Sequence, residues 1–74
     1  MTLSEMVPGE TGILQDILVD GALGQRLMDL GFYPGAHVRV VRNAPLVDPL
    51  EIELDGYHVS LRHDEAGHVE VSKE

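Results

Sequence analysis

The side chains in this sequence with the most chemistry to offer are histidines and carboxylates. His63, Asp64, Glu65 and His68 crowd around one predicted turn. Imidazole nitrogen beside carboxylate oxygen is a donor set that a divalent cation accepts. The spacing does not build a tight site. No two of His37, His58, His63 and His68 stand four apart, the separation that aligns ligands on one helix face. There is no cysteine to add a thiolate. His63, Asp64 and His68 are therefore weak candidates as metal ligands. The simpler expectation is a solvated loop, with no cofactor. Catalysis has less support still. No nucleophile stands beside a base, no acids are paired for acid–base work, and no Gly-rich loop cradles phosphate. The chain reads as a binding module and not as an enzyme.

Charge narrows the partners. Thirteen Asp and Glu oppose five Lys and Arg, a net charge of −8. Such a balance repels phosphate backbones and anionic lipid, so nucleic acid is not an expected partner. Arg39, Arg42 and Arg62 fall in predicted strands and are expected to be solvated strand-face arginines. Met1 is not followed by a basic start and an apolar core, and no apolar run approaches the length of a membrane span. A cytoplasmic protein without direct membrane insertion is expected, and the absence of cysteine fits a reducing compartment.

The elements that must position these residues can be read from period and punctuation. Leu3 and Met6 lead in and are expected to pack on the core. Thr11 to Val19 reads as a first strand. Leu14 and Leu18 fall out of phase with Ile13, Ile17 and Val19, which predicts a bulge or two-sided burial. Asp20 is an N-cap candidate for a helix over 22–30, whose Leu23, Leu27 and Leu30 share one face. Gly31 suits the C′ position, and Pro34-Gly35 suits a turn with positive φ at glycine. Asp55-Gly56 between alternating segments predicts a two-residue type I′ hairpin. That turn sets Leu54 opposite Tyr57, Ile52 opposite Val59 and Leu50 opposite Leu61 on the apolar face. Glu53 then faces His58, and Glu51 faces Ser60, on the other. Val38, Val40, Val69 and Val71 extend the buried face. The fold class is mainly β, a small, partly open SH3-like barrel of about five strands with one short α-helix. Residues 1–74 are expected to form one domain.

Contact residues follow from the same reading. Phe32 and Tyr33 ride a tight corner, and one of the two is expected at the surface. The loop Ala44-Pro45-Leu46-Val47-Asp48-Pro49 is stiffened by two prolines, which lowers the ordering cost of binding. Leu46 is expected to plug the barrel end, with Val47 outside. Arg26, one residue before Leu27, should sit at the edge of the buried helix face as a charged anchor. The partner-binding candidates are thus Arg26, Phe32, Tyr33 and Val47.

These residues also resemble a known family. Leu27-Met28-Asp29-Leu30-Gly31-Phe32-Tyr33-Pro34-Gly35, the Ala44–Pro49 loop, Gly56, and Leu61-Arg62 with Glu65-Ala66 look like FeoA, the small cytosolic component of bacterial ferrous-iron uptake. The resemblance spans essentially the whole chain. It implies an SH3-like barrel acting on the cytosolic region of the ferrous-iron transporter FeoB. A similar barrel closes some metal-dependent repressors. A detached sensor-type barrel that binds a peptide or a divalent ion is therefore the alternative. The sequence shows no helix-turn-helix segment, which favours the transport accessory.

Overall fold

The computed structural model describes residues 1–74. Strands β1 (Thr11–Ile17), β2 (His37–Arg42), β3 (Leu50–Leu54), β4 (Tyr57–Leu61) and β5 (Val69–Lys73) form one antiparallel sheet in the order β4-β3-β2-β1-β5. The order follows from chain economy. The first four strands meander, each pairing with the next, and β5 returns to the free side of β1. The sheet bends round a core of Leu3, Met6, Leu14, Leu27, Phe32, Val38, Val40, Leu50, Ile52, Leu54, Leu61, Val69 and Val71. This is the SH3-like barrel expected from the sequence.

The hairpin has the predicted register at all five pairs from Leu54–Tyr57 to Leu50–Leu61. Asp55 at φ 47 and Gly56 at φ 90 supply the two positive φ values of a type I′ turn. Ile52 is buried and Val59 half-buried on the same face, but Tyr57, at the strand edge, is 74 % exposed. His58 stands opposite Glu53 in the register but makes its side-chain ion-pair contact elsewhere. Its Nε2 lies 3.0 Å from Glu51, because Arg39 holds Glu53 at 2.7 Å.

The phase break in β1 is a bulge between Leu14 and Asp16. Leu14 faces the core before it, and Ile17 and Val19 turn inward after it, while Leu18 stays outside. Helix α1 spans Gly21–Asp29. Asp20 occupies the N-cap position, but its side chain makes no capping hydrogen bond. Of the three predicted core leucines only Leu27 is fully buried. Leu23 is half-buried and Leu30 exposed, because Leu30 is already the C-cap and no longer follows the helix face.

The helix ends in a Schellman motif. Gly31 N–H donates to Met28 O at 2.9 Å and Phe32 N–H to Leu27 O at 3.1 Å, with Gly31 at φ 105. One further element was not foreseen. Where a turn was expected, His63–Ala66 forms a short helix, α2, with Ala66 buried against the core. Glu65 starts it by accepting a hydrogen bond from Arg62 N–H at 2.9 Å.

Candidate contact surface

The Schellman geometry decides between the two corner aromatics. Phe32 occupies the position whose side chain packs back on the last turn of the helix, so it is fully buried with Leu27. It is a core residue and offers no surface to a partner. Tyr33, one residue on, is 52 % exposed. The signal that settles this was present in the sequence, since an apolar residue directly after a C′ glycine is the usual hydrophobic partner of the motif.

The proline loop differs from expectation at its tip. Leu46 takes φ 62, a left-handed backbone unusual for a residue with a side chain. That reversal turns its side chain into solvent, so Leu46 is fully exposed and does not plug the barrel. Val47 is 53 % exposed, as expected, and its N–H closes a turn on Ala44 O at 3.2 Å. The Asp48–Pro49 peptide is cis.

Helix α2 fastens this loop to α1. His63 N–H donates to Asp48 Oδ1 at 2.8 Å, and His63 Nδ1 lies 2.6 Å from the same oxygen. His63 Nε2 lies 2.7 Å from Asn43 Oδ1. Asn43 in turn donates through Nδ2 to Ser4 O and Met6 O, which fixes its orientation. On the other side of α2, Glu65 receives Arg26 in an ion pair. Arg26, α2 and the Val47 loop therefore form one connected flank. Asp48 titrates below the usual carboxylate range, held there first by the His63 N–H and then by the His63 ring.

These contacts also bear on the metal candidates. Both ring nitrogens of His63 are already in contact with oxygens, Asp48 Oδ1 and Asn43 Oδ1, so the ring meets a cation only by giving up one of these contacts. Asp64 caps its own neighbour, Glu65 N–H, at 2.9 Å. No group of three or more His, Cys, Asp or Glu is arranged to hold a metal ion.

Ion pairing engages every Lys and Arg of the chain. Arg26 pairs with Glu65, Arg39 with Glu53, Arg42 with Glu51, Arg62 with Asp48 and Lys73 with Glu10. Arg39 and Glu53 hold each other in their charged forms, the first raised and the second lowered. Arg39 and Arg42 lie in β2, whereas Arg62, expected in a strand, follows β4 as the residue before α2; the three present no free basic patch. Solvent screens pairs this exposed, so they fix geometry more than they stabilise.

A bent antiparallel sheet with α1 and α2 packed on its core and a proline loop clasped to α2 defines a small SH3-like domain. The chain belongs to the FeoA domain family, whose model matches residues 1–73. It is 35 % identical over 71 residues to an Fe(2+) transport protein A/Fe(2+) transporter FeoB fusion protein of Porphyromonas gingivalis, covering 96 % of this chain but only 8 % of that protein. A crystal structure of an iron uptake regulatory protein, FeoA, superposes with a TM-score of 0.93 at 35 % identity, over 100 % of this chain and 97 % of the other. The zinc-complexed FeoA of Stenotrophomonas maltophilia, a prokaryotic SH3 domain protein, gives 0.86 at 32 % identity, over 97 % and 89 %. The family is associated with ferrous iron transport. No helix of this chain is long and apolar enough to cross a membrane.

Proposed function

We propose that residues 1–74 act as one cytosolic, non-enzymatic accessory module of ferrous iron uptake, working by contact with the cytosolic region of a FeoB-type transporter. The observation that carries this reading is the relative from Porphyromonas gingivalis, in which an FeoA segment and FeoB share one polypeptide. Two domains joined in one chain in one organism are natural contact partners where they are separate. The chemistry agrees. With no reacting constellation, the module acts through its surface, and its acid excess disfavours nucleic acid and anionic lipid.

The contact surface proposed is the flank built from Arg26, α2 and the loop tip carrying Leu46 and Val47, with Tyr33 at the neighbouring corner. The loop is held by Asp48, His63 and Asn43, so little order is lost when a partner settles on its two exposed apolar side chains. Binding of the purified cytosolic region of the transporter, measured by calorimetry with and without nucleotide, tests this. Val47→Asp and Arg26→Ala are each expected to weaken it by about 1–2 kcal/mol, with Arg39→Ala on the outer sheet face as control. Wild-type affinity in both test variants sinks the assignment.

A further inference from the structure

The other side of α1 has a different character. A cavity of 390 Å³ opens between α1, the end of β1 and the corner after the helix. That volume lies in the range of about 300–1,000 Å³ that ligand sites use. Ile17, Val19, Met28 and Tyr33 give it an apolar wall, and Asp16 and Asp20 stand at its rim. Neither carboxylate is in an ion pair. Asp16 accepts only its neighbour's Ile17 N–H at 2.8 Å, and Asp20 makes no capping bond. No Lys or Arg of this chain is free to neutralise them, because each is already paired elsewhere.

We propose that this groove docks a basic, amphipathic segment of a protein partner. One large aliphatic side chain enters against Met28 and Tyr33, and an adjacent Lys or Arg meets Asp16 and Asp20. Charge complementarity selects the occupant. An apolar wall rewards burial of an aliphatic group. Two unneutralised carboxylates beside it favour a cation and repel an acidic peptide. The groove is pre-formed. Gly24 lets the first turns of α1 fold tightly against the segment that joins β1 to the helix, where a Cβ would come 2.4 Å from Val19 O. That close approach sets the wall's position before any ligand arrives. The inference rests on the transporter reading only for the identity of the partner chain and not for the chemistry of the segment.

The test is an amide NMR titration of the isotope-labelled full chain with short synthetic peptides built from Lys and Leu, from Glu and Leu, and from Lys and Ser. The Lys/Leu peptide is expected to shift the amides of Ile17, Val19, Gly24, Met28 and Tyr33 saturably, and the other two to leave them in place. Met28→Glu and the Asp16→Asn/Asp20→Asn pair should each weaken that binding about tenfold, with spectra otherwise like wild type. Shifts centred on the Val47 loop, or variants that bind as wild type does, overturn the proposal. The same spectra taken with the transporter's cytosolic region separate the two readings. Binding that leaves the groove amides unmoved removes the groove as the docking site and keeps the transporter as partner. No binding of that region, with the Lys/Leu peptide still seated in the groove, removes the transporter and keeps the groove.

Discussion

The two flanks of α1 are built from opposite charge arrangements on a common core. Toward α2, charges meet locally: Arg26 with Glu65, Arg62 with Asp48, His63 with Asp48 and Asn43. Toward the groove, Asp16 and Asp20 are left without a cation beside an apolar wall. The difference teaches how so small a chain separates geometry from recognition. Paired charges hold the proline loop in one shape, so what that flank offers a partner is the apolar tip at Leu46 and Val47. Unpaired charges hold nothing in place, and they give the groove its electrostatic preference.

The comparison can be broken hardest at the residue both flanks share. Leu27 is fully buried beneath α1. Leu27→Ala should cost about 2–4 kcal/mol by lost burial plus a cavity. In urea denaturation the midpoint should drop steeply, and both surfaces should be lost together. Gly24→Ala discriminates between them. The added methyl has no room against the Val19 backbone. α1 must shift from the segment that joins it to β1, at a cost of about 1–3 kcal/mol. Groove amides should shift in the NMR spectrum, while those of the Val47 loop hold.

A smaller effect isolates the α2 flank. Asp48 has its folded-state titration depressed by His63. Its contribution is therefore fully present above the ordinary carboxylate value of about 3.9 and is lost as pH falls through the lower folded value. Asp48→Asn should lower the melting temperature at neutral pH and make its decline on acidification below about pH 4 shallower. Identical acid profiles for variant and wild type would show that the loop clasp contributes nothing. The smallest effect belongs to the groove rim. Asp16→Asn with Asp20→Asn should leave stability within about 0.5 kcal/mol, since neither carboxylate has an ion pair to lose and the amide oxygen introduced by Asp16→Asn can still accept the Ile17 N–H. A clear loss in thermal melts would mean that the rim is structural after all.

How much of this was legible in the chain depends on the range of each interaction. The hairpin was readable pair by pair, because Asp55-Gly56 and the alternation around it are local and mutually reinforcing. The β1 bulge, the helix-ending Gly31 and the burial of Leu3 and Met6 were readable for the same reason. Phe32 was left undecided although the Schellman pattern could have placed it. Leu46 was misplaced because hydrophobicity alone argued for burial, and the left-handed turn that points it outward depends on a loop clasped from Asn43 and α2. Helix α2 was missed because four residues carry too little period to register.

The sequence by itself determined the strands, the hairpin register and the acid excess. Residue type and short spacing suffice for each of these. Tertiary structure alone decided which charges neutralise one another. Arg26 meets Glu65 across 39 residues, and His63 reaches Asp48 across 15. It also decided that Asp16, unremarked in the sequence, and Asp20, read there only as an N-cap, stand without an ion pair at the mouth of a groove. Pairing of surface charge is a property of distance in space, and only the closing of β5 onto β1 and the seating of α1 on the core set those distances.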